Sequence, residues 1–558
     1  MAHLSTVVAH ELADAGIRQA FGVVGGGNIL AVAGLTGRGV RYLAARHEGG
    51  AVSMADAYHR VTGDVAICTT SHGAGLANTA TGLAEAAKHG SSLLLLCGDA
   101  PLAGRRVADI DQIAFAETLG ARVLRVGSAQ DARATTAAAI RLAREGTAPV
   151  VLGLPNDLLT VPVPDLDGPV GLGPSARFAE PVGAALDPVL ARLASARRPV
   201  LLAGLGAWRS GAGKLLTELA DRVGALVATT AMANGLFAES RWSLGICGGF
   251  ASPVAAGLLA EADLVIAFGA SLDAFTLHGG RLLDPAATLV RVDVAPRPVG
   301  RVDIEVTADA SAAVAALLDG VDALGLAPST WRAEVVDRLA GVGWADQPYV
   351  EGGTVDRIDP RTLSLALAQA LPAERTLVLD GGHFIAWPAM YWPVPDPAAM
   401  VFMGGAFQAI GLGFAGAVGA ATGRADRLTV VALGDGGALM GLPELETLVR
   451  AGLSALVVIY DDASYGFETH LYRPRGADVS TTDFADTDFA CLARAFGAQA
   501  ATVRTRQDVD VVRGWCARGC PGTLVLDCKV AREVVAPFLT DLIGGQPSRL
   551  SRSDRRAR

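Results

Sequence analysis

Leu428-Thr-Val-Val-Ala-Leu-Gly434-Asp435-Gly436-Gly437 is an apolar run that ends in a glycine-rich acidic turn. A second run, Ala455-Leu-Val-Val-Ile-Tyr460, ends in Asp461-Asp462-Ala463-Ser464-Tyr465-Gly466. Asp462 follows Asp435 by 27 residues, the length of one strand–helix–strand crossover. Continuous β-rich runs separated by helices read as neighbouring strands of a parallel sheet covered on both faces. Both strand ends then lie at one sheet edge, where such folds bind ligands. Glycines at 434, 436 and 437 let main-chain N–H groups approach phosphate oxygens, and the following helix N-terminus favours negative charge. Asp435 and Asp462 add carboxylates suited to a hard divalent cation that bridges protein and diphosphate.

Working outward, the same pattern recurs along the chain. Val65-Ala-Ile-Cys-Thr-Thr, Ser92-Leu-Leu-Leu-Leu-Cys and Pro149-Val-Val-Leu-Gly-Leu read as strands of a first block. Pro199-Val-Leu-Leu-Ala-Gly, Leu264-Val-Ile-Ala-Phe-Gly and Thr288-Leu-Val-Arg-Val-Asp-Val belong to a second. Thr376-Leu-Val-Leu-Asp and Thr523-Leu-Val-Leu-Asp join the two quoted runs in a third. The fold class is therefore α/β, with three doubly wound parallel-sheet domains over residues 1–165, 184–330 and 355–540. A Pro/Gly/Asp-rich stretch, Val161 to Pro181, reads as a linker. Residues 541–558, with arginines 549, 552, 555, 556 and 558, read as a basic disordered tail.

The first and third blocks rhyme. Gly49-Gly-Ala-Val-Ser-Met-Ala-Asp-Ala-Tyr-His-Arg-Val-Thr-Gly63 and Ala409-Ile-Gly-Leu-Gly-Phe-Ala-Gly-Ala-Val-Gly-Ala-Ala-Thr-Gly423 are both small-residue helices with a Thr-Gly stop before an apolar strand. Two related domains flanking a different one is the organisation this implies.

Composition bounds the rest. The 558 residues (57.0 kDa) carry 51% hydrophobic and 18% charged residues, with mean hydropathy +0.37, which excludes disorder for most of the chain. A net charge of −9 and a pI near 5.5 argue against a nucleic-acid surface. The uncharged stretch Pro397–Gly423 is long enough to span a bilayer, but its glycines and Gln408 suit a buried helix entry better. No signal peptide is read at Met1-Ala-His-Leu-Ser, so the expected compartment is the cytoplasm. Seven cysteines in so long a chain read as free buried thiols, not as a disulfide framework.

The quoted turns resemble the metal motif of the thiamine-diphosphate-dependent enzymes of the acetolactate synthase, pyruvate oxidase and benzoylformate decarboxylase type: Gly-Asp-Gly, a crossover, then Asn-Asn. Here Asp461-Asp462 stands where that family has Asn-Asn. The resemblance implies Mg2+ held by Asp435, the Asp462 side chain and the Ser464 carbonyl, with altered net charge. Arg46-His47-Glu48-Gly49-Gly50-Ala51 resembles the family's Arg-His-Glu signature, whose glutamate handles the proton at N1′ of the aminopyrimidine. Glu48 takes that role by resemblance, and a largely apolar setting would favour a shared proton there. Phe21–Asn28 and Ser71-His72-Gly73-Ala74-Gly75-Leu76-Ala77-Asn78 resemble further family turns, with Ala74 replacing a usual Pro. Gly381-Gly382-His383, Gly434, Gly436, Gly437 and Tyr465 would flank the diphosphate. Ile410 falls where a bulky apolar residue bends the cofactor, and Gln408 where a main-chain carbonyl receives the 4′-amino group.

On the substrate side the candidates are Asn28, His72, Gln112 and His383. His72 could transfer protons near neutral pH, and Gln112 could donate a hydrogen bond to an oxo group. Arg105-Arg106 reads as solvated surface. Gly204-Leu-Gly206 and Phe268-Gly-Ala-Ser271 resemble the family's middle domain, but no flavin fingerprint supports FAD.

The expected activity is decarboxylation of a 2-oxo acid with transfer of the acyl anion to an acceptor, acetolactate-synthase-like. A decarboxylase without ligation is the alternative. A nicotinamide dehydrogenase is disfavoured because Leu30 breaks the Gly-x-Gly-x-x-Gly pattern that Gly25–Asn28 would need. A cofactor-binding, non-catalytic homologue is opposed by Glu48, Asp435 and Asp462. Glu48 and Asp435 lie 387 residues apart. The family builds such sites from two subunits, so a homodimer or homotetramer with shared sites is implied. The glycine-rich helices after Glu48 and Ile410 are expected to pack across that interface.

Overall fold

The computed structural model describes residues 2–163, 183–295 and 300–540. The basic tail expected at 541–558, and most of the linker expected at Val161–Pro181, lie outside the described residues.

Three six-stranded sheets account for the fold, and every strand pairing in them is parallel. The first holds β1 (Gln19–Gly22), β2 (Arg41–Ala44), β3 (Ala66–Thr70), β4 (Leu93–Asp99), β5 (Arg122–Arg125) and β6 (Val150–Pro155), in the order β2-β1-β3-β4-β6-β5. The second holds β7 (Pro199–Ala203), β8 (Leu226–Thr229), β9 (Ser243–Ile246), β10 (Leu264–Phe268), β11 (Thr288–Asp293) and β12 (Ile304–Thr307), in the order β12-β11-β10-β7-β8-β9. From its other edge this is the doubly wound 3-2-1-4-5-6 order of dinucleotide-binding folds. The third holds β13 (Arg375–Leu379), β14 (Met400–Phe402), β15 (Leu428–Gly434), β16 (Ala455–Asp461), β17 (Gln499–Val503) and β18 (Thr523–Lys529), in the order β14-β13-β15-β16-β18-β17.

The first and third sheets thus share one strand order, and the second differs from both. The two small-residue helices, Glu48–Thr62 and Gly413–Gly423, occupy the same place in it, each running from the edge strand back to the third strand in sequence. They pack against one another inside the chain and join the two sheets in a single apolar core containing Met54, Tyr58, Phe414 and Val418. A Cβ on Gly419 would lie 2.1 Å from the main-chain oxygen of Met54, so only glycine permits this approach. The expectation that these faces would meet a second copy is corrected: the chain already uses them internally, because the small side chains let the two backbones come into contact.

The stretch Pro397–Gly423 is divided among a short 3-10 turn, β14, a loop and the helix from Gly413. No helix among the described residues is long and apolar enough to cross a membrane. All seven cysteines are free. Cys68, Cys97, Cys247 and Cys528 are buried as expected, whereas Cys491 is exposed and Cys516 and Cys520 are half-buried on the outer elements around Phe489–Ala495 and Asp510–Ala517.

Candidate functional site

Register brings the acidic turns together. Gly434 at the end of β15 pairs with Tyr460 of β16, so Asp435 and the Asp461–Asp462 pair leave the sheet side by side. The order reverses between β13 and β15, the switch point where open α/β sheets form a crevice. Asp435 opens the Asp435–Gly441 helix, and Asp462 precedes the turn into the Gly466–Tyr472 helix.

Asp435 and Asp462 are both buried. Burial raises the Asp435 pKa, and the neighbouring charges of Asp462 and Asp461 raise it further. Burial likewise raises that of Asp462, against the Ser464 hydrogen bonds and Arg532, which lower it. Asp461 is relieved by Lys529, whose Nζ lies 2.5 Å from its Oδ2. Two buried carboxylates that repel one another are a donor set a divalent cation fits, since its charge offsets both the burial and the repulsion. The turn holding Asp462 to Ser464 is unusual: Ala463 has φ +54°. Asp462 Oδ1 accepts from the main-chain N–H of Ser464 at 3.1 Å.

The flanking loops converge. Asp380, directly after β13, is fully buried and accepts from the N–H groups of Gly381 (2.9 Å), Gly411 (2.9 Å) and Leu412 (3.3 Å). Burial pushes its pKa up to about 6 against those bonds. It therefore ties Gly381-Gly382-His383 to the loop containing Gln408 and Ile410. An added Cβ at Gly381 would meet the Ile410 side chain at 3.0 Å, and one at Gly437 would meet Asp380 at 2.6 Å. His383 is buried, its Nε2 accepts from the N–H of Ala536 at 2.8 Å, and burial pushes its pKa down to about 3. Gln408 is exposed and adopts the left-handed conformation, with φ +58°. A cleft of about 260 Å3 is lined by Gly436, Leu439, Met440, Tyr465 and Phe484.

The first sheet contributes differently. Glu48 is the first residue of the Glu48–Thr62 helix, half-exposed, and its Oε2 accepts from the Asn78 amide at 2.9 Å. Its setting is therefore polar and open, not apolar as expected, because it sits at a helix N-terminus on the surface of the chain. Glu444 places the preceding residues, accepting from the N–H of His47 (2.9 Å) and of Arg46 (3.1 Å). Arg46 itself pairs with Glu446 through two bonds of 2.6 Å.

His72 is half-buried, with the side-chain amide of Asn156 3.4 Å from its Nδ1. Gln112, expected as a substrate donor, is buried with its Oε1 accepting from Gly73 N–H (2.6 Å) and its Nε2 donating to the Gly98 carbonyl (2.9 Å) and facing Cys97 Sγ at 3.8 Å. Asn28 is likewise a turn-former, bonded to Gly25, Val23 and Thr69. Arg105 and Arg106 are exposed and paired with Asp111 and Asp109.

Several residues that hold this site escape a sequence reading. Arg60 and Asp56 form a buried pair, and Arg60 also reaches Glu85 (3.0 Å) and the Phe402 carbonyl (2.8 Å). Glu85, fully buried in the Ala80–His89 helix, accepts from the N–H groups of Ala406 (3.2 Å) and Phe407 (2.7 Å) and so fixes the loop before Gln408 from the other sheet. Charged residues inside otherwise apolar helices were the available signal, since such groups are buried only when paired.

Comparison with known proteins agrees with this geometry. Residues 2–151 match the family description "Thiamine pyrophosphate enzyme, N-terminal TPP binding domain", residues 186–317 the central domain, and residues 380–527 the C-terminal TPP binding domain. The chain is 26% identical over 517 residues to a probable acetolactate synthase large subunit of Methanocaldococcus jannaschii, covering 87% of this chain and 85% of that protein. It is 25% identical to the acetolactate synthase large subunit of Lactococcus lactis, over 88% and 87% of the two chains. It is 30% identical to a probable 2-ketoarginine decarboxylase of Pseudomonas aeruginosa, over 89% and 88%. With all three parts matched in order on three parallel sheets, the chain belongs to the thiamine pyrophosphate enzyme family and is an enzyme of that class.

Proposed function

We propose that this protein uses thiamine diphosphate and Mg2+ to decarboxylate a 2-oxo acid and transfer the acyl group to a second carbonyl compound, as acetolactate synthases do, working as a cytoplasmic homodimer or homotetramer. The observation that carries the reading is the buried Asp435–Asp462 pair at adjacent strand ends, an arrangement that costs stability unless a cation fills it.

In this reading Asp435, Asp462 and the Ser464 carbonyl hold the metal. Gly381, Gly382, His383 and the turn Gly434–Gly437 flank the diphosphate, with Tyr465 beside them. Ile410 supports the bend of the cofactor, and the Gln408 carbonyl receives its amino group. The bound thiazolium would supply the electron sink for decarboxylation. Glu48 holds and returns the proton at the pyrimidine nitrogen, and its exposure to solvent in one chain leaves room for that ring. His72 moves protons on the substrate side, and Gln112 supports the Gly73 main chain beside it. Residues 1–165 form the pyrimidine end, 184–330 the central domain and 355–540 the diphosphate end.

A second copy fits the remaining surface. Phe407, Leu439 and Met440 are exposed apolar side chains around the site, and Glu48 lies half-exposed on the other sheet. The test is a mass-spectrometric product screen: purified protein with thiamine diphosphate and Mg2+, fed pyruvate and other 2-oxo acids with and without aldehydes. A hydroxyketone product is expected. No cofactor-dependent consumption of any 2-oxo acid overturns the reading. Release of free aldehyde alone would favour simple decarboxylation, a second reading supported by the likeness to the probable 2-ketoarginine decarboxylase.

A further inference from the structure

We infer that Arg532 is a positioning residue for the metal turn, an inference that rests on the proposed Mg2+ role of Asp435, Asp462 and Ser464. Arg532 lies in the segment after β18, outside both acidic turns. Its Nε donates to the main-chain oxygen of Asp462 at 3.0 Å and its Nη2 to that of Ala463 at 2.9 Å. Its Nη1 pairs with Asp483 at 3.1 Å, which keeps the planar fork oriented. Between those two clamped carbonyls, Ala463 adopts φ +54°.

That conformation is unfavourable for an L-residue with a Cβ and persists only where surrounding structure imposes it. Main-chain bonds on either side frame the turn: Ser464 N–H donates to Asp462 Oδ1 at 3.1 Å, Tyr465 N–H to the Thr482 carbonyl at 2.9 Å and Val530 N–H to the Asp461 carbonyl at 3.0 Å. Besides Arg532, the Ala463 carbonyl accepts from Phe484 N–H at 2.9 Å, and Ala463 N–H donates to Asp461 Oδ1 at 2.9 Å. Arg357 Nη1 holds the preceding carbonyl, that of Asp461, at 3.0 Å. Among the described residues only Arg532 bonds the carbonyls of both Asp462 and Ala463 with one charged group, on either side of the left-handed residue's N–H. The turn it holds carries the Asp462 carboxylate and the Ser464 carbonyl. Loosening it would let those two oxygens drift apart without removing either one. Arg532 therefore acts on metal affinity through main-chain geometry.

The test measures the Mg2+ dissociation constant in the presence of saturating thiamine diphosphate, by titration calorimetry on the full chain. Tightly bound Mn2+ read by electron paramagnetic resonance serves as a second probe. Arg532→Met is expected to weaken binding about 10- to 100-fold, the worth of losing charge-assisted bonds. Arg532→Lys keeps the charge without the fork, and is expected to lose nearly as much if geometry is the cause. It also carries the test should the Met variant fail to fold. Adding Ala463→Gly to either variant is expected to recover several-fold, because glycine adopts the left-handed conformation without strain. A folded Arg532→Met chain with wild-type Mg2+ affinity overturns the inference. So does a loss that Ala463→Gly leaves unchanged, which marks a merely structural arginine. Failure of the wild-type chain to bind Mg2+ with the cofactor would sink the functional reading itself, and this inference with it.

Discussion

The first and third sheets have the same strand order and helices in the same places, yet the candidate-site carboxyls they carry are placed oppositely. At the switch point of the third sheet, Asp380, Asp435 and Asp462 are buried with raised pKa values and hydrogen-bonded to main-chain amides, and Asp435 is further crowded by Asp461 and Asp462. On the first sheet, Glu48 stands half-exposed at a helix start with one amide partner. The third sheet is built around charge that needs a counter-ion. The first presents a single carboxyl toward space that its own chain leaves open. In the proposed function, one architecture would support two tasks, binding an anion through a metal and exchanging a proton, and burial is what separates the two sets of carboxyls.

Removing the buried side of this comparison is expected to have the largest effect. Asp435→Ala should weaken Mg2+-dependent retention of thiamine diphosphate by more than about a hundredfold, measured by equilibrium dialysis. Chelation of metal from the unmodified protein should release the cofactor too. Retention of stoichiometric cofactor by the Ala variant in chelator would show that the pair holds no metal.

The exposed side should behave differently. Glu48→Gln is expected to lower kcat by about 10^2- to 10^4-fold while cofactor affinity stays nearly unchanged, separating proton transfer from binding. If the sites are shared between subunits, mixing Glu48→Gln with Asp435→Ala chains should restore roughly a quarter of the wild-type activity, from the one intact site of each heterodimer. Proven subunit exchange without recovery would place each site within a single chain.

The bridge between the sheets comes next. Arg60→Met leaves Asp56 and Glu85 buried without their counter-ion and should cost about 3–5 kcal/mol in denaturant unfolding. A loss below about 1 kcal/mol would mean that the apolar contact of the two glycine-rich helices alone couples the sheets.

The smallest effect concerns pH. Asp380, Asp435 and Asp462 have folded pKa values above their ordinary 3.8, so the metal-free folded chain holds protons that the unfolded chain has released. Stability of the metal-free protein should therefore fall as pH rises from about 4 through the raised values. Mg2+ would replace the protons of Asp435 and Asp462 but not that of Asp380, so the gap in unfolding midpoint with and without Mg2+ and cofactor should widen between about pH 5 and pH 8. A gap that does not change with pH would contradict the assignment of metal to these carboxylates.

Much of this was legible in the chain itself. Apolar runs ending in Gly-Asp-Gly and Asp-Asp one crossover apart identify parallel strands and a shared edge, because strand burial and strand-end chemistry are local properties. The two Thr-Gly-stopped helices revealed the repeat for the same reason. Other features depend on residues far apart in the sequence. Glu85 reaching Ala406 and Phe407, Glu444 placing Arg46 and His47, and Asp380 joining three amides are bonds to main chain, which any sequence supplies. The main-chain bonds of Gln112 could not be foreseen for the same reason. Nor could the packing of the Glu48 and Gly413 helices on each other, since a row of small residues states that something will come close but not what. Composition and spacing determined the strands, the acidic turns and the repeat. Tertiary packing alone decided which carboxylates lose their water and which stay in contact with it, because desolvation depends on what the fold lays over a residue.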